Sequence, residues 1–87
     1  MKMSVKNKVT NNVLEMNIDF ESRSLEVISL PKDYMFDEIF TNLTFNKFEC
    51  WLYNRAGHYR TMDNIIDNIR TMHGKSPVDH LEIYIDD

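Results

Sequence analysis

From Leu14 to Phe20 the apolar residues fall on every second position: Leu14, Met16, Ile18 and Phe20 alternate with Glu15, Asn17 and Asp19. A period of two sends neighbouring side chains to opposite faces, so this stretch predicts a strand with one buried face. Glu21-Ser22-Arg23 follows as a turn, and Leu25-Glu26-Val27-Ile28-Ser29-Leu30 reads as the antiparallel partner. The alternation returns at Leu81, Ile83 and Ile85, interleaved with Glu82, Tyr84 and Asp86. A weaker version opens the chain, where Met3, Val5 and Val9 alternate with Ser4, Lys6 and Lys8, and Thr10-Asn11-Asn12 forms the turn.

Between the strands the period changes to 3.6. Met62, Ile65, Ile66, Ile69 and Met72 form one stripe, which predicts a helix over about 62–72. Thr61 is placed to cap it, Asp63 suits the positive end of its dipole, and Arg70 and His73 lie in the last turn. Gly74 reads as the residue just past the end, and Pro77 bars continuation. A second helix is expected over about 44–53, with Phe45, Phe48, Trp51 and Leu52 as its apolar face. Ahead of it, Tyr34, Met35, Ile39 and Phe40 with Asp33 as a cap predict a further helical turn. Thr44 and Asn46 weaken the middle of 33–53, which favours two short helices over one bent one. The order is strands, then helices, then a strand. It predicts an α+β fold, a three- or four-stranded antiparallel sheet packed on one face by two or three short helices.

Length sets the scale. Eighty-seven residues allow one domain, 1–87, and a chain this short is marginal alone and gains from pairing. Apolar residues at 43%, with 11% aromatic, supply a core and argue against disorder. No apolar run approaches the roughly 18 residues of a membrane span, and Met1-Lys2-Met3-Ser4-Val5-Lys6 has no signal-peptide core. Cys50 stands alone, so no internal disulfide forms and a reducing, cytoplasmic setting is expected.

The chemistry the chain lacks narrows the function further. No Walker A, GxGxxG, HExxH, EF-hand or CxxC pattern occurs, and the two glycines stand apart, so no phosphate cradle can be built. Cys50 and His58 are a thiol and an imidazole close in sequence, but Cys50 lies in the aromatic run Phe48-Glu49-Cys50-Trp51-Leu52, where a small buried thiol is the ordinary occupant. Cys50, His58, His73 and His80 lack the close ligand pairs of a zinc site. Asp63, Asp67 and Glu82 read as solvated faces, with no carboxylate pair set in an apolar environment. The expectation is a non-enzyme, with no catalytic, cofactor or metal residues.

Two features carry a binding role instead. Arg55-Ala56-Gly57-His58-Tyr59-Arg60 concentrates cationic and aromatic donors in an acidic chain, and Arg and Tyr are over-represented among binding hot spots. The plainer account is a helix connection whose arginines neutralise Asp63 and Asp67. Second, Glu15, Asp19, Glu21 and Glu26 cluster on the hairpin, with Asp79, Glu82, Asp86 and Asp87 near the last strand. If those strands are neighbours, their solvent face is a negative field that steers basic partners; the plainer account is edge protection and solubility. The expected partner-binding residues are Arg55, His58, Tyr59 and Arg60 of the loop and Glu15, Asp19, Glu82 and Asp86 of the strands. With 14 acidic against 10 basic side chains, a net charge of −4, and only Lys2, Lys6, Lys8 and the loop arginines as basic patches, the balance points away from direct nucleic-acid binding.

A short acidic chain rich in Asn and Ile, with a hairpin, paired helices and no reactive motif, resembles the small proteins by which bacteriophages disable host systems, anti-CRISPR inhibitors among them. Phe48-Glu49-Cys50-Trp51-Leu52-Tyr53, a short loop, then Met62-Asp63-Asn64-Ile65-Ile66-Asp67-Asn68-Ile69 is similar in layout to the paired-helix part of a type I-F anti-CRISPR. The resemblance implies a protein of the host cytoplasm that occupies a surface of a host protein or ribonucleoprotein complex. Leu81–Asp87 also looks like a strand of the swapped-hairpin DNA-binding transition regulators, but lacks the Lys/Arg-bearing half of that motif. The alternative expectation is a small homodimeric regulator or antitoxin-like protein, binding a partner protein or DNA. The amphipathic C-terminal strand would supply its two-fold pairing.

Overall fold

The computed structural model describes residues 1–56, 61–71 and 80–86. Its elements are β1 (Lys2–Asn7), β2 (Val13–Asp19), β3 (Ser24–Ser29), α1 (Tyr34–Phe40), α2 (Phe45–Ala56), α3 (Met62–Thr71) and β4 (Leu81–Asp86). The strands form one antiparallel sheet in the order β3-β2-β1-β4, so the last strand lies beside the first. The fold is α+β, with four strands and three helices among the described residues.

Local chemistry accounts for each boundary. The loops 8–12 and 20–23 join β1 to β2 and β2 to β3, and within them Asn11 and Arg23 adopt positive φ of 65° and 56°. Asn42, just past α1, does the same at 54°. The chain has only two glycines. Left-handed backbone therefore falls to asparagine, whose short polar side chain tolerates it, and once to arginine. Asp19 shapes the second turn by accepting from the N–H groups of Glu21 (3.0 Å) and Ser22 (3.3 Å). All three helices start on an oxygen-bearing cap. The Asp33 carboxylate accepts from Met35 N–H, the Thr44 hydroxyl from Lys47 N–H, and the Thr61 hydroxyl from Asn64 N–H.

The core lies between the sheet and the helices. Met3 and Val5 of β1, Leu14, Met16 and Ile18 of β2, and Leu81 and Ile83 of β4 are buried against Phe36, Phe40, Phe48 and Leu52. Each such side chain contributes about 1.5–3 kcal/mol when fully removed from water. Edge-to-face rings join α1 to α2, where Phe40 meets Trp51 at 5.1 Å, and the second hairpin to α2, where Phe20 meets Phe45 at 5.6 Å. Arg23 clips the second hairpin to α2, its guanidinium 4.8 Å from the Phe45 ring centroid and 3.1 Å from Glu49.

Several expectations change. Val9 was expected inside β1; it is 59% exposed in the turn, and the inward position is taken by Asn7, which is fully buried. Strand periodicity continues through Asn7, but the buried amide is satisfied by partners that only the tertiary fold supplies. Cys50 is exposed rather than buried, because the apolar face of α2 is carried by Phe48 and Leu52, which leaves Cys50 off it. The helix α2 extends to Ala56, so 54–56, expected in the loop, belongs to its last turn. The expected division of 33–53 into two helices is observed, with Thr41 ending α1 and Thr44 capping α2. Gly74 and Pro77 lie outside the described residues.

Candidate protein-binding face

With the helices on one side, the other side of the sheet is bare among the described residues. Outward positions alternate with the buried ones: Lys2, Ser4 and Lys6 on β1, Glu15, Asn17 and Asp19 on β2, Ser24 and Glu26 on β3, and Glu82, Tyr84 and Asp86 on β4. The four expected acidic contact residues, Glu15, Asp19, Glu82 and Asp86, therefore share one face. They are not contiguous. The hairpin acids and the β4 acids are separated by β1, which sets Lys2 opposite Asp86 and Lys6 opposite Glu82. Lys2 also approaches Glu15 at 4.0 Å, an exposed pair that contributes little to stability. With Glu26 included, five carboxylates against two ammonium groups keep the face negative.

The acids differ in freedom. Asp19 is partly committed to its turn, where the Ser22 N–H and hydroxyl, then the Glu21 N–H, hold its carboxyl below the usual range. The Tyr84 hydroxyl donates to Glu82 Oε2. That hydrogen bond, with some burial and the adjacent negative charge, raises the Tyr84 pKa above its ordinary value. Tyr84 remains 41% exposed, a large amphipathic ring at the open end of the face.

Of the expected loop residues, Arg55 falls in the last turn of α2, and His58, Tyr59 and Arg60 lie outside the described residues. Asp67, which the plainer account of the loop pairs with its arginines, lies 3.9 Å from Arg70 one turn along α3.

A carboxylate cluster that the sequence did not single out for chemistry sits on the helix side. Asp33, only 4% exposed, accepts from Asn7 Nδ2 at 3.0 and 3.2 Å, Asn12 Nδ2 at 2.8 Å, the Thr10 hydroxyl and Met35 N–H. The Thr10 hydroxyl leads these donors in holding the Asp33 carboxyl far below the usual carboxylate range. Every donor belongs to the first hairpin or to α1, so the cluster fastens the β1–β2 turn to the start of α1. The run Asn7, Thr10, Asn11, Asn12 was the available signal, read from sequence only as a turn. The carboxylate is saturated by donors, which suits a fastening and leaves no acceptor aimed at a ligand.

An open cleft of about 400 Å³ runs between the end of β2 and α3, where Ile18, Phe20, Met62 and Ile66 line a region that also carries the exposed Asp19 and Asp63. Among the described residues no three His, Cys, Asp or Glu side chains gather as metal ligands. No helix among them is long and apolar enough to cross a membrane. Neither family models, curated proteins nor solved structures match this chain.

Proposed function

We propose that this protein acts by occupancy, docking the bare face of its sheet onto a basic surface of a macromolecular partner and making or breaking no bonds. The observation that supports this reading is that Glu15, Glu26, Glu82, Asp86 and the exposed Tyr84 share one face of a four-stranded sheet, a face that no other described residue covers. Rigid strands present these groups without the ordering cost of a loop, and opposite potentials accelerate encounter and set register. In the small-phage-inhibitor reading, the partner is a host defence complex whose nucleic-acid-binding surface is basic, and an acidic sheet face competes for it.

The test is a tagged capture from host cells, comparing wild type with Glu15→Lys/Glu82→Lys/Asp86→Lys, with far-UV circular dichroism as the fold control. A partner retained by wild type, released by rising salt and lost by the triple variant supports the proposal. Equal capture by both, or a turnover of any small molecule by purified wild type, overturns it.

A further inference from the structure

We propose that the end of the molecule formed by the β1–β2 turn and the start of α1 sits on the surface of an anionic lipid bilayer. An inversion of the usual surface pattern carries this inference. Asn7, Thr10 and Asn12 turn their polar side chains inward to Asp33, while the apolar side chains around them stay in solvent. Of the eight large apolar or aromatic side chains exposed among the described residues, five gather here: Val9, Val13, Ile28, Leu30 and Tyr34. Val9 and Tyr34 are the most exposed, at 59% and 64%. Surfaces that meet only water rarely collect apolar groups in this way.

The Asp33 hydrogen bonds bring these residues together. Val9 and Val13 flank the turn residues that donate to Asp33, and Tyr34 follows Asp33 in the chain. Met16 pairs with Val27 but Glu15 with Ser29, so Ile28 is an inserted residue, and the bulge leaves its side chain exposed. Leu30-Pro31-Lys32 then leads from β3 to Asp33, and Pro31 has no N–H to satisfy. The N–H groups of Lys8, Val9, Asn11 and Asn12 all donate within the protein, to His80 O, Asn7 Oδ1, Asn7 O and Thr10 Oγ1. Backbone already bonded in this way loses little when the turn leaves bulk water. All five apolar residues belong to the continuously described stretch 1–56.

Charge selects the occupant. Lys8 and Lys32 are exposed beside the apolar group, and Lys6 stands opposite Val13 on the ladder, with Glu82 on its far side. Asp33 is buried and saturated by donors. Glu15 lies two residues further along β2, where Lys2 approaches it, and Asp37 and Glu38 lie a turn further along α1. A second copy docked on the same end would bring lysines against lysines. An anionic bilayer accepts both parts: lysines reach the headgroups, aliphatic side chains enter the acyl boundary, and a tyrosine suits the level between. Asp19 and Asp86 stand at the far ends of β2 and β4, so repulsion from the same surface turns the cationic end towards it. Such docking needs no spanning helix.

Co-sedimentation with vesicles reads the binding, using phosphatidylcholine alone and an equimolar mixture with phosphatidylserine. Wild type should pellet with the mixed vesicles at low salt and stay in solution with phosphatidylcholine alone. Lys8→Ala/Lys32→Ala should weaken binding about twentyfold, from about fivefold per lysine. Val9→Ser/Tyr34→Ser, at the two most exposed positions, should weaken it about tenfold or more, with far-UV circular dichroism as the fold control. In wild type, segments 8–12 and 28–34 should exchange amide hydrogens more slowly once mixed vesicles are added, a readout that needs no variant. No pelleting with either vesicle, a Val9→Ser/Tyr34→Ser variant that binds as wild type, or exchange indifferent to vesicles overturns the proposal. Retention on polyglutamate with vesicles left free also overturns it, and reassigns this end to an acidic protein.

Discussion

Asn7 is the residue whose replacement tests the architecture most directly. It occupies an inward strand position that periodicity assigns to an apolar side chain, yet it is fully buried and fully bonded. Its Nδ2 donates to both Asp33 oxygens, at 3.0 and 3.2 Å, and its Oδ1 accepts from Val9 N–H at 3.0 Å. Asn7→Ala removes hydrogen bonds to a charged acceptor, about 1.5–3 kcal/mol, and strands a partly buried N–H, about 1 kcal/mol more. The expected loss is about 3 kcal/mol, against a total near 4–13 kcal/mol at about 0.05–0.15 per residue. Urea unfolding followed by far-UV circular dichroism should show the midpoint falling by about 2–3 M, taking a slope near 1 kcal/mol/M. Asn7→Asp is the sharper probe because it preserves shape and places a second carboxylate against Asp33. Two carboxylates at that spacing cannot both stay ionised cheaply, so the pair's upper pKa rises above the unfolded value near 3.9. The folded state then binds more protons than the unfolded one, and stability must rise as pH falls from about 7 towards 4. Asn7→Asp should be the less stable of the two variants at neutral pH and recover on acidification. An alanine variant within about 0.5 M of wild type would refute the reasoning. So would an aspartate variant with a flat pH profile.

Acid should unfold wild type by the opposite linkage. Asp33 is held below its usual pKa, so its contribution is complete above the unfolded value near 3.9 and drains as pH falls beneath it. The wild-type Tm should therefore fall below about pH 4 more steeply than that of Asp33→Asn, which starts lower at neutral pH; parallel slopes in a thermal scan would contradict this. At the second hairpin, Arg23→Ala loses the Phe45 stack and the exposed Glu49 pair and should cost about 1 kcal/mol by urea unfolding. Arg23→Gly removes the same contacts but relieves the positive φ of 56°, so it should be the milder variant; the reverse order would rule out backbone strain there.

The elements were legible along the chain. Period-two alternation at Leu14–Phe20 and Leu81–Asp86, the 3.6 stripe of Ile65, Ile66 and Ile69, and the caps Asp33 and Thr61 are local signals, because each reflects a residue's own side chain meeting its own backbone. The α+β class followed from their order. Tertiary structure decided what lies opposite what. Asn7 and Asp33 are 26 residues apart, and nothing in either neighbourhood marks an amide and a carboxylate as mutual partners. The acidic face was legible as a list of residues but not as a surface. Only the placement of β4 beside β1 inserts Lys2 and Lys6 between Glu15 on one flank and Glu82 and Asp86 on the other. Strand pairing is non-local, so register and charge pattern across a sheet are set when distant segments meet, and a single segment carries only its own alternation.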